Sequence, residues 1–184
     1  MIDKSDERLR LADRAARRGL AALGRFLGRR VDPSAPRCEW SELHRVEAHS
    51  GLTGARVGLF SDIDGALGGR LGLLLPRSSA ASLVRGVVGE GAQREWIQLS
   101  ALLESANIAF SAAAGALGDA FGLIVFPSVP RLVVELEREL GREMAASDRD
   151  LVGAYLAHAQ LVDRSGVAHV AFAWIPAFSD AELS

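Results

Sequence analysis

The sequence predicts a single α/β (α+β) domain in which a mainly antiparallel sheet packs against long helices. The 184 residues are about the length of one domain, and 49% hydrophobic with 24% charged residues is typical of a globular chain with a full core. Helical stretches with apolar residues every three or four positions alternate with short strand-like runs bounded by turn residues. Hairpins and helices in this order are typical of an antiparallel sheet covered by helices.

Charge and cysteine content argue against several classes of function. The 21 basic and 23 acidic residues leave a net charge of −2, which disfavours a dedicated nucleic-acid-binding protein. Cys38 is the only cysteine, so neither an internal disulfide nor a cysteine-built zinc site can form. The stretch 2–14 lacks the apolar region of a signal peptide, and we expect a cytoplasmic protein.

An internal repeat organises the chain. The segment 22–36 matches the segment 116–130 at an offset of 94, with eight of the 15 positions identical. Further along the chain, at an offset of 100, Pro76 matches Pro176, so that all six prolines are paired between the halves. Because proline fixes φ and lacks an N–H donor, paired prolines indicate one backbone path used twice. We therefore predict one domain, 1–184, built from the related halves 1–91 and 92–184.

The first half begins with a helix and continues as hairpin strands. Apolar residues recur every three or four positions from Leu9 to Leu27, and Gly28 suits the position that follows a last helical turn. Strands are predicted over 42–48, 56–62 and 67–75, with a turn at Asp64-Gly65, and a helix over 79–88 follows.

The second half is predicted to follow the same scheme with differences. A helix over 93–121 ends at Gly122, and the next four residues, Leu-Ile-Val-Phe, indicate a strand. A helix over 132–146 precedes strands over 151–162 and 167–175 around Ser165-Gly166. The nearly uncharged stretch 108–126 is long enough to suggest a membrane span, but its Ala, Gly and Ser content favours a buried helix. The tryptophans are expected in the core: Trp40, Trp96 and Trp174.

The helix over 93–121 carries few polar side chains, and three of them share a face. Ser100, Glu104 and Asn107 stand at positions i, i+4 and i+7. Burial of Glu104 without a partner would cost about several kcal/mol, so we expect this face to be exposed. The spacing alone is also compatible with a Glu and an Asn that are simply solvated on the helix surface and have no functional role. Small residues continue the face and would let another backbone approach closely: Ser111, Ala114, Gly115 and Gly118.

The pattern Ser100-x3-Glu104-x2-Asn107-x22-Pro130 resembles the signature of the CheC/CheX/FliY family of chemotaxis phosphatases. In that signature an Asp or Ser is followed by Glu, Asn and Pro at these intervals. The stretch SALLESANIAFSAAAGALGDAFG is similar to the family's motif helix, and the two related halves resemble those of CheC. The resemblance, which is closest to CheC, implies a CheC-like pseudo-twofold fold.

The resemblance also implies an enzyme that hydrolyses the phosphoaspartate of a CheY-like response regulator. Glu104 would then contact the receiver domain and Asn107 would orient the attacking water, with Ser100, Ser111 and Gly115 contacting the partner. No metal or cofactor of the chain's own is expected, because the receiver would supply Mg²⁺. A CheD-like protein is a second candidate partner; nucleic acid and membrane are not expected.

The first half keeps the spacing of the motif without its chemistry. Counting back from Pro36 gives Asp13 at the Asn position, Arg10 at the Glu position and Asp6 at the first position. Arg10 cannot pair with a receiver lysine, and Asp13 would bring negative charge towards a phosphate. We predict a surface pair between Arg10 and Asp13, a degenerate first site, and one active centre per chain.

Two other interpretations stay open. The degenerate first half is also compatible with a non-catalytic CheC-like adaptor that binds a response regulator, a CheD-like protein or a flagellar-switch partner. Residues 1–30 carry nine basic and four acidic side chains, which we interpret as a solvated face, although such a face could also dock an acidic partner, a membrane surface or nucleic acid.

Overall fold

A computed structural model describes residues 4–32, 38–42, 45–46, 56–64, 67–90, 94–133, 153–164 and 166–177. The helices are α1 (Lys4–Leu27), α2 (Arg77–Val88) and α3 (Glu95–Phe121). The strands are β1 (Arg30–Val31), β2 (Cys38–Glu42), β3 (Arg56–Asp62), β4 (Arg70–Pro76), β5 (Arg131–Val133), β6 (Gly153–Asp163) and β7 (Gly166–Ile175).

All seven strands belong to one antiparallel sheet. Its order is β1-β6-β7-β4-β3-β5, and β2 also pairs with β6. The hairpins β3–β4 and β6–β7 meet in the middle, where β4 pairs with β7 from Arg70↔Ile175 to Leu74↔Ala171. The antiparallel sheet and its long helices confirm the predicted fold class.

The core lies mainly between the helices and one face of the sheet. Side chains alternate across each strand, so that in β4 the leucines at 71, 73 and 75 join the helix-side core, whereas Leu74 joins a smaller cluster on the other face. The largest buried side chains on the helix side are aromatic: Trp174, Phe110 and Phe172.

Helices α1 and α3 cross in close contact on top of the sheet. A Cβ atom on Gly19 would lie 2.8 Å from the carbonyl oxygen of Ala109 and 3.3 Å from the Cβ of Ala113. Gly19 and Ala113 occupy equivalent positions of the repeat, 94 residues apart. The two helices therefore touch at matching points, which a pseudo-twofold relation between them requires.

The two long helices also end in the same geometry. Each ends at a glycine in the left-handed region, with φ of 65° and 64°: Gly28 and Gly122. The Arg29 N–H donates to Gly24 at 2.8 Å, and the Leu123 N–H donates to Gly118 at 2.9 Å. A Cβ on Gly24 would lie 2.8 Å from the Arg29 carbonyl oxygen, and a Cβ on Gly118 would lie 2.5 Å from the Leu123 carbonyl oxygen. Both positions therefore require glycine.

α3 is the one helix within the described ranges that is long and apolar enough to cross a membrane. The most apolar window of this helix has a mean hydropathy of 1.2, and 61% of it is buried inside the fold. Because α3 packs against α1, α2 and the sheet, it is the buried helix that its Ala, Gly and Ser content predicted.

The structure differs from the sequence prediction at four places. The strand expected over 42–48 is instead β2, which ends at Glu42, while 45–46 are helical. The helix expected over 132–146 begins as β5, which pairs with β3, and the rest of that range lies outside the described residues. The backbone at 123–126 is irregular rather than a strand. Trp40 and Trp96 are 45% and 63% exposed, so only Trp174 is a core tryptophan.

Several predicted positions lie outside the described residues. These are the hairpin-turn residues Gly65 and Ser165, the motif-related Pro36 of the first half, the strand start at 151–152, and Gly91 at the expected join of the halves.

A buried ion pair ties the end of α1 to the sheet. The Arg29 Nε lies 2.7 Å from the Asp163 Oδ2, and the Arg29 side chain is only 2% exposed. Its Nη2 also donates to the Ser82 hydroxyl at 2.9 Å. One guanidinium thus joins α1, α2 and the end of β6.

Replacing Asp163 by Asn removes the carboxylate and leaves the guanidinium charge buried without its counter-ion. We expect the free energy of unfolding to fall by about 3 kcal/mol, because an uncompensated buried charge is costly. Urea unfolding followed by circular dichroism measures the loss. The exposed neighbour Arg164, changed to Ala, is the control and should alter stability by less than about 0.5 kcal/mol. Equal stability of both variants would contradict a stabilising role for the pair.

The same Gly→Ala change should have opposite effects on the two long helices. At Gly19 the new methyl group meets the Ala109 carbonyl, so we expect a loss of about 1–3 kcal/mol despite the better helix propensity of Ala. At Gly115 the methyl group enters open space, so Gly115→Ala should gain about 0.5–1 kcal/mol. The urea midpoints of the two variants test this, and shifts in the same direction would contradict the close crossing.

Candidate functional site

The polar motif residues lie on a solvent-facing edge of α3. Ser100, Glu104, Asn107 and Ser111 are all exposed, as expected from the cost of burying an unpaired carboxylate. Gly115 comes one turn later and is partly buried, but no neighbouring atom lies within 4 Å of where its Cβ would be. We call these five residues the motif edge.

The strip of small side chains is shorter than the sequence predicts. Ala114 is completely buried in the core between the helices and the sheet. Gly118 is also buried, because the backbone of Leu123 folds back over it. The open part of the edge therefore ends at Gly115, and Ala114 and Gly118 serve packing instead.

The orientation of the motif edge follows from the opposite face of α3. That face is lined by alanines and a phenylalanine that pack against α1 and the sheet: Ala106, Ala109, Phe110 and Ala113. The one polar side chain on the buried side is Ser105, whose hydroxyl donates to the Ala101 carbonyl at 2.7 Å. Its hydrogen-bonding need is met locally, so it is separate from the site.

Glu104 and Asn107 stand one helical turn apart, with Cβ atoms about 5–6 Å from each other. Within the described ranges, no hydrogen bond or ion pair engages either of the two side chains. A carboxylate can only accept hydrogen bonds and attracts cations, whereas an amide both donates and accepts. The edge can therefore hold a cationic group at Glu104 and orient a water molecule at Asn107.

The matching edge of the first half has a different chemistry. Arg10 is exposed, but Asp13 accepts a hydrogen bond from the Arg17 Nε at 2.6 Å. The predicted Arg10–Asp13 pair is therefore wrong, since Asp13 pairs with the residue four positions later. Arg17 occupies the position equivalent to Ser111 of the second half. Asp13, at the position equivalent to Asn107, is therefore already engaged in an ion pair with Arg17.

An exposed tryptophan extends the motif edge and was missed by the sequence analysis. Trp96 is 63% exposed and stands four residues before Ser100, which places both on the same side of α3. Leu99, beside it, is 38% exposed. The i, i+4 spacing from Ser100 was the available signal, but a tryptophan in a mostly apolar helix was interpreted as core.

The lone cysteine has the properties of a structural residue. Burial, together with the nearby carboxylates of Asp13 and Glu39, raises the pKa of the Cys38 thiol to about 12. At neutral pH the side chain is an uncharged thiol, which is a poor nucleophile and a poor metal ligand. Across the described ranges, no three His, Cys, Asp or Glu side chains are grouped so as to hold a metal ion.

No protein-family model matches the sequence, and no curated protein matches it. Solved structures do match over most of its length. FliY from Thermotoga maritima superposes with a TM-score of 0.70 at 17% identity, covering 96% of this chain and 91% of that one. CheX from Desulfovibrio desulfuricans superposes with a TM-score of 0.54 at 14% identity, covering 87% of this chain and 98% of that one.

The middle domain of FliM from H. pylori is also similar. It has a TM-score of 0.57 at 13% identity and covers 95% of this chain and 94% of that one. FliM from H. pylori matches as well in a complex with SpeE. These similarities show a common fold.

Proposed function

We propose that this chain, which has the fold of the CheC, CheX and FliY proteins, is a phosphatase for the phosphoaspartate of a CheY-type response regulator. The observation that carries the proposal is the motif edge, where an unpaired carboxylate and an unpaired amide lie one turn apart and face solvent. The proposal places the protein in the cytoplasm with its substrate and gives it one active centre per chain.

The chemistry needs few groups from this chain. A phosphoaspartate is an acyl phosphate, so the aspartate carboxylate is already a good leaving group, and positioning of water dominates the remaining barrier. Asn107 holds a water molecule in line with the P–O bond to the aspartate. The water oxygen bonds to phosphorus, the P–O bond breaks, and the water protons pass to phosphate and solvent. The products are inorganic phosphate and the free aspartate.

Glu104 has a docking role in this proposal. The Glu104 carboxylate pairs with the active-site lysine of the receiver. The receiver also brings the Mg²⁺ that neutralises the phosphoryl oxygens. A carboxylate at position 107 would repel those oxygens, which explains the need for a neutral amide there. Ser100, Ser111 and the open space at Gly115 let the receiver backbone approach the helix.

The second candidate function is a non-catalytic adaptor that binds a response regulator, a CheD-like protein or a flagellar-switch protein. The similarity to FliM, including FliM in a complex with another protein, supports this candidate. So does the first-half edge, which has an Asp13–Arg17 ion pair in place of an open amide. The unpaired Asn107 favours the phosphatase, because binding alone gives no reason for a water-orienting group.

Changing Asn107 to Ala should abolish the acceleration of receiver dephosphorylation. We expect a loss of about 100-fold or more in kcat with little effect on binding, because the water loses its positioning group. Changing Glu104 to Ala should weaken binding and lower the rate together, since the docking ion pair is lost. The measurement is single-turnover decay of phosphorylated CheY-type receivers, with binding followed separately by calorimetry.

Arg10→Ala is the matched control, because Arg10 is exposed at the equivalent position of the first half. It should leave both rate and affinity unchanged. A wild-type rate in Asn107→Ala would contradict the role of the amide. Tight binding of a phosphorylated receiver without faster decay would support the adaptor instead.

Changing Trp96 to Ala should weaken receiver binding by about tenfold or more, because exposed tryptophans at the edge of a site are frequent binding anchors. Trp96 is about 12 Å along the helix from Glu104, so kcat at saturation should not change. Steady-state kinetics separates KM from kcat. Phe26→Ala removes a comparably exposed aromatic from α1 and should have no effect, and a fall in kcat instead of affinity would contradict the anchor role.

A further inference from the structure

An exposed apolar surface follows the C-terminal end of α3. From Gly122 to Pro130 the chain carries no charged residue. Ile124, Phe126 and Val129 are 85%, 75% and 84% exposed, and Leu123 and Leu132 beside them are 41% and 37% exposed. We call these five side chains the apolar strip. Large apolar groups this exposed, contiguous in the chain, mark an interaction surface.

The backbone that carries the apolar strip is fixed to the end of β3. The Ser61 hydroxyl donates to the Ser128 carbonyl at 2.6 Å, and the Ser128 hydroxyl accepts from the Asp62 N–H at 3.0 Å. The Ser128 N–H donates in turn to the Asp62 carbonyl at 2.8 Å. Because the backbone is already ordered, binding to the strip costs little conformational entropy.

The two halves carry different side chains just beyond their long helices. Ile124 and Phe126 stand at the positions that Arg30 and Asp32 occupy in the first half. Both segments follow helix ends of the same geometry, and Arg30 is exposed in its half as Ile124 is in the other. Beyond these helix ends the backbones differ, since Arg30 belongs to β1 whereas 123–126 form no strand, and the apolar side chains of Ile124 and Phe126 face solvent.

The apolar strip begins where α3 ends, on the C-terminal side of the motif edge. Gly122 is 15 residues beyond Asn107, which is about 22 Å along a helix. A standard interface covers about 800 Å² on each partner, or a radius of roughly 16 Å. The helix end from which the strip begins therefore lies outside an interface centred on Asn107, and the inference about the strip does not rest on the proposed phosphatase activity.

We propose that the apolar strip is the interface of a homodimer, and that a second copy of this chain covers it. Permanent homodimer interfaces have an apolar centre depleted of charges, whereas transient interfaces are about as polar as the rest of the surface. The strip exposes on the order of 500 Å² per copy, so two strips would bury about 1,000 Å², which is the lower limit of a stable interface. One strip per chain suits a twofold axis, which leaves both motif edges open.

The test is sedimentation velocity of the full chain between about 1 and 200 μM, a concentration range chosen to include the dissociation constant expected of a small interface. The wild type should reach twice the monomer mass of 19.6 kDa. The double variant Ile124→Arg/Phe126→Asp carries the residue types of the first half, and its dissociation constant should rise at least about 30-fold. Val167→Asp is the control, because Val167 is a 49% exposed apolar residue on β7, and it should dimerise as the wild type does.

A wild type that stays at 19.6 kDa over the whole range would overturn the proposal. So would a double variant that dimerises normally, or a control that dissociates equally. Circular dichroism melts establish that the variants fold. If the double variant unfolds, Val129→Asp, on the far side of the anchoring Ser128, carries the test with the same expected loss.

Discussion

The close crossing of α1 and α3 is the contact on which the site depends. Gly19 lets the two helices approach until the Ala109 carbonyl would touch a Cβ on α1. The alanine face of α3 is then buried between α1 and the sheet, and the opposite face must point to solvent. Glu104 and Asn107 are exposed for this reason. Gly19, on the neighbouring helix about one helix diameter away, therefore determines which side of α3 faces solvent.

The two long helices share one geometry at their ends and carry two surface chemistries. In the first half, Arg17 neutralises Asp13, whereas in the second half Ser111 stands at the matching position and no side chain of the described residues pairs with Asn107. Beyond the helix ends the contrast runs the other way, with a charged residue at Arg30 and an apolar one at the matching position. Since glycines at matching positions end both long helices, the outward side chains of each half could diverge at little cost in stability.

Sequence reasoning succeeded where backbone conformation or periodicity forced the result. Glycine at 28 and 122 ends the long helices in the left-handed region, and the limits of β3 were predicted correctly from its residues. Sequence reasoning failed where the location of a strand depends on its pairing partner. The side chains of β2, at the edge of the sheet, are mostly solvated, so its sequence shows no alternation of apolar and polar residues. Trp96 was misplaced because its residue type suggested burial, while its position beside Ser100 favoured the outward edge.

The separation between the motif edge and the apolar strip has a consequence for how the chain can work. An enzyme whose substrate brings its own metal ion, lysine and reactive bond contributes mainly position, and position requires a rigid support. Helix α3 supplies that support, because its buried face spans the core from Ala101 to Gly118. A contact at the far end of the same helix would add to its rigidity without covering Asn107. The proposed dimer contact and the proposed catalytic amide can therefore share one helix, since the contact lies at its C-terminal end and Asn107 lies near its middle.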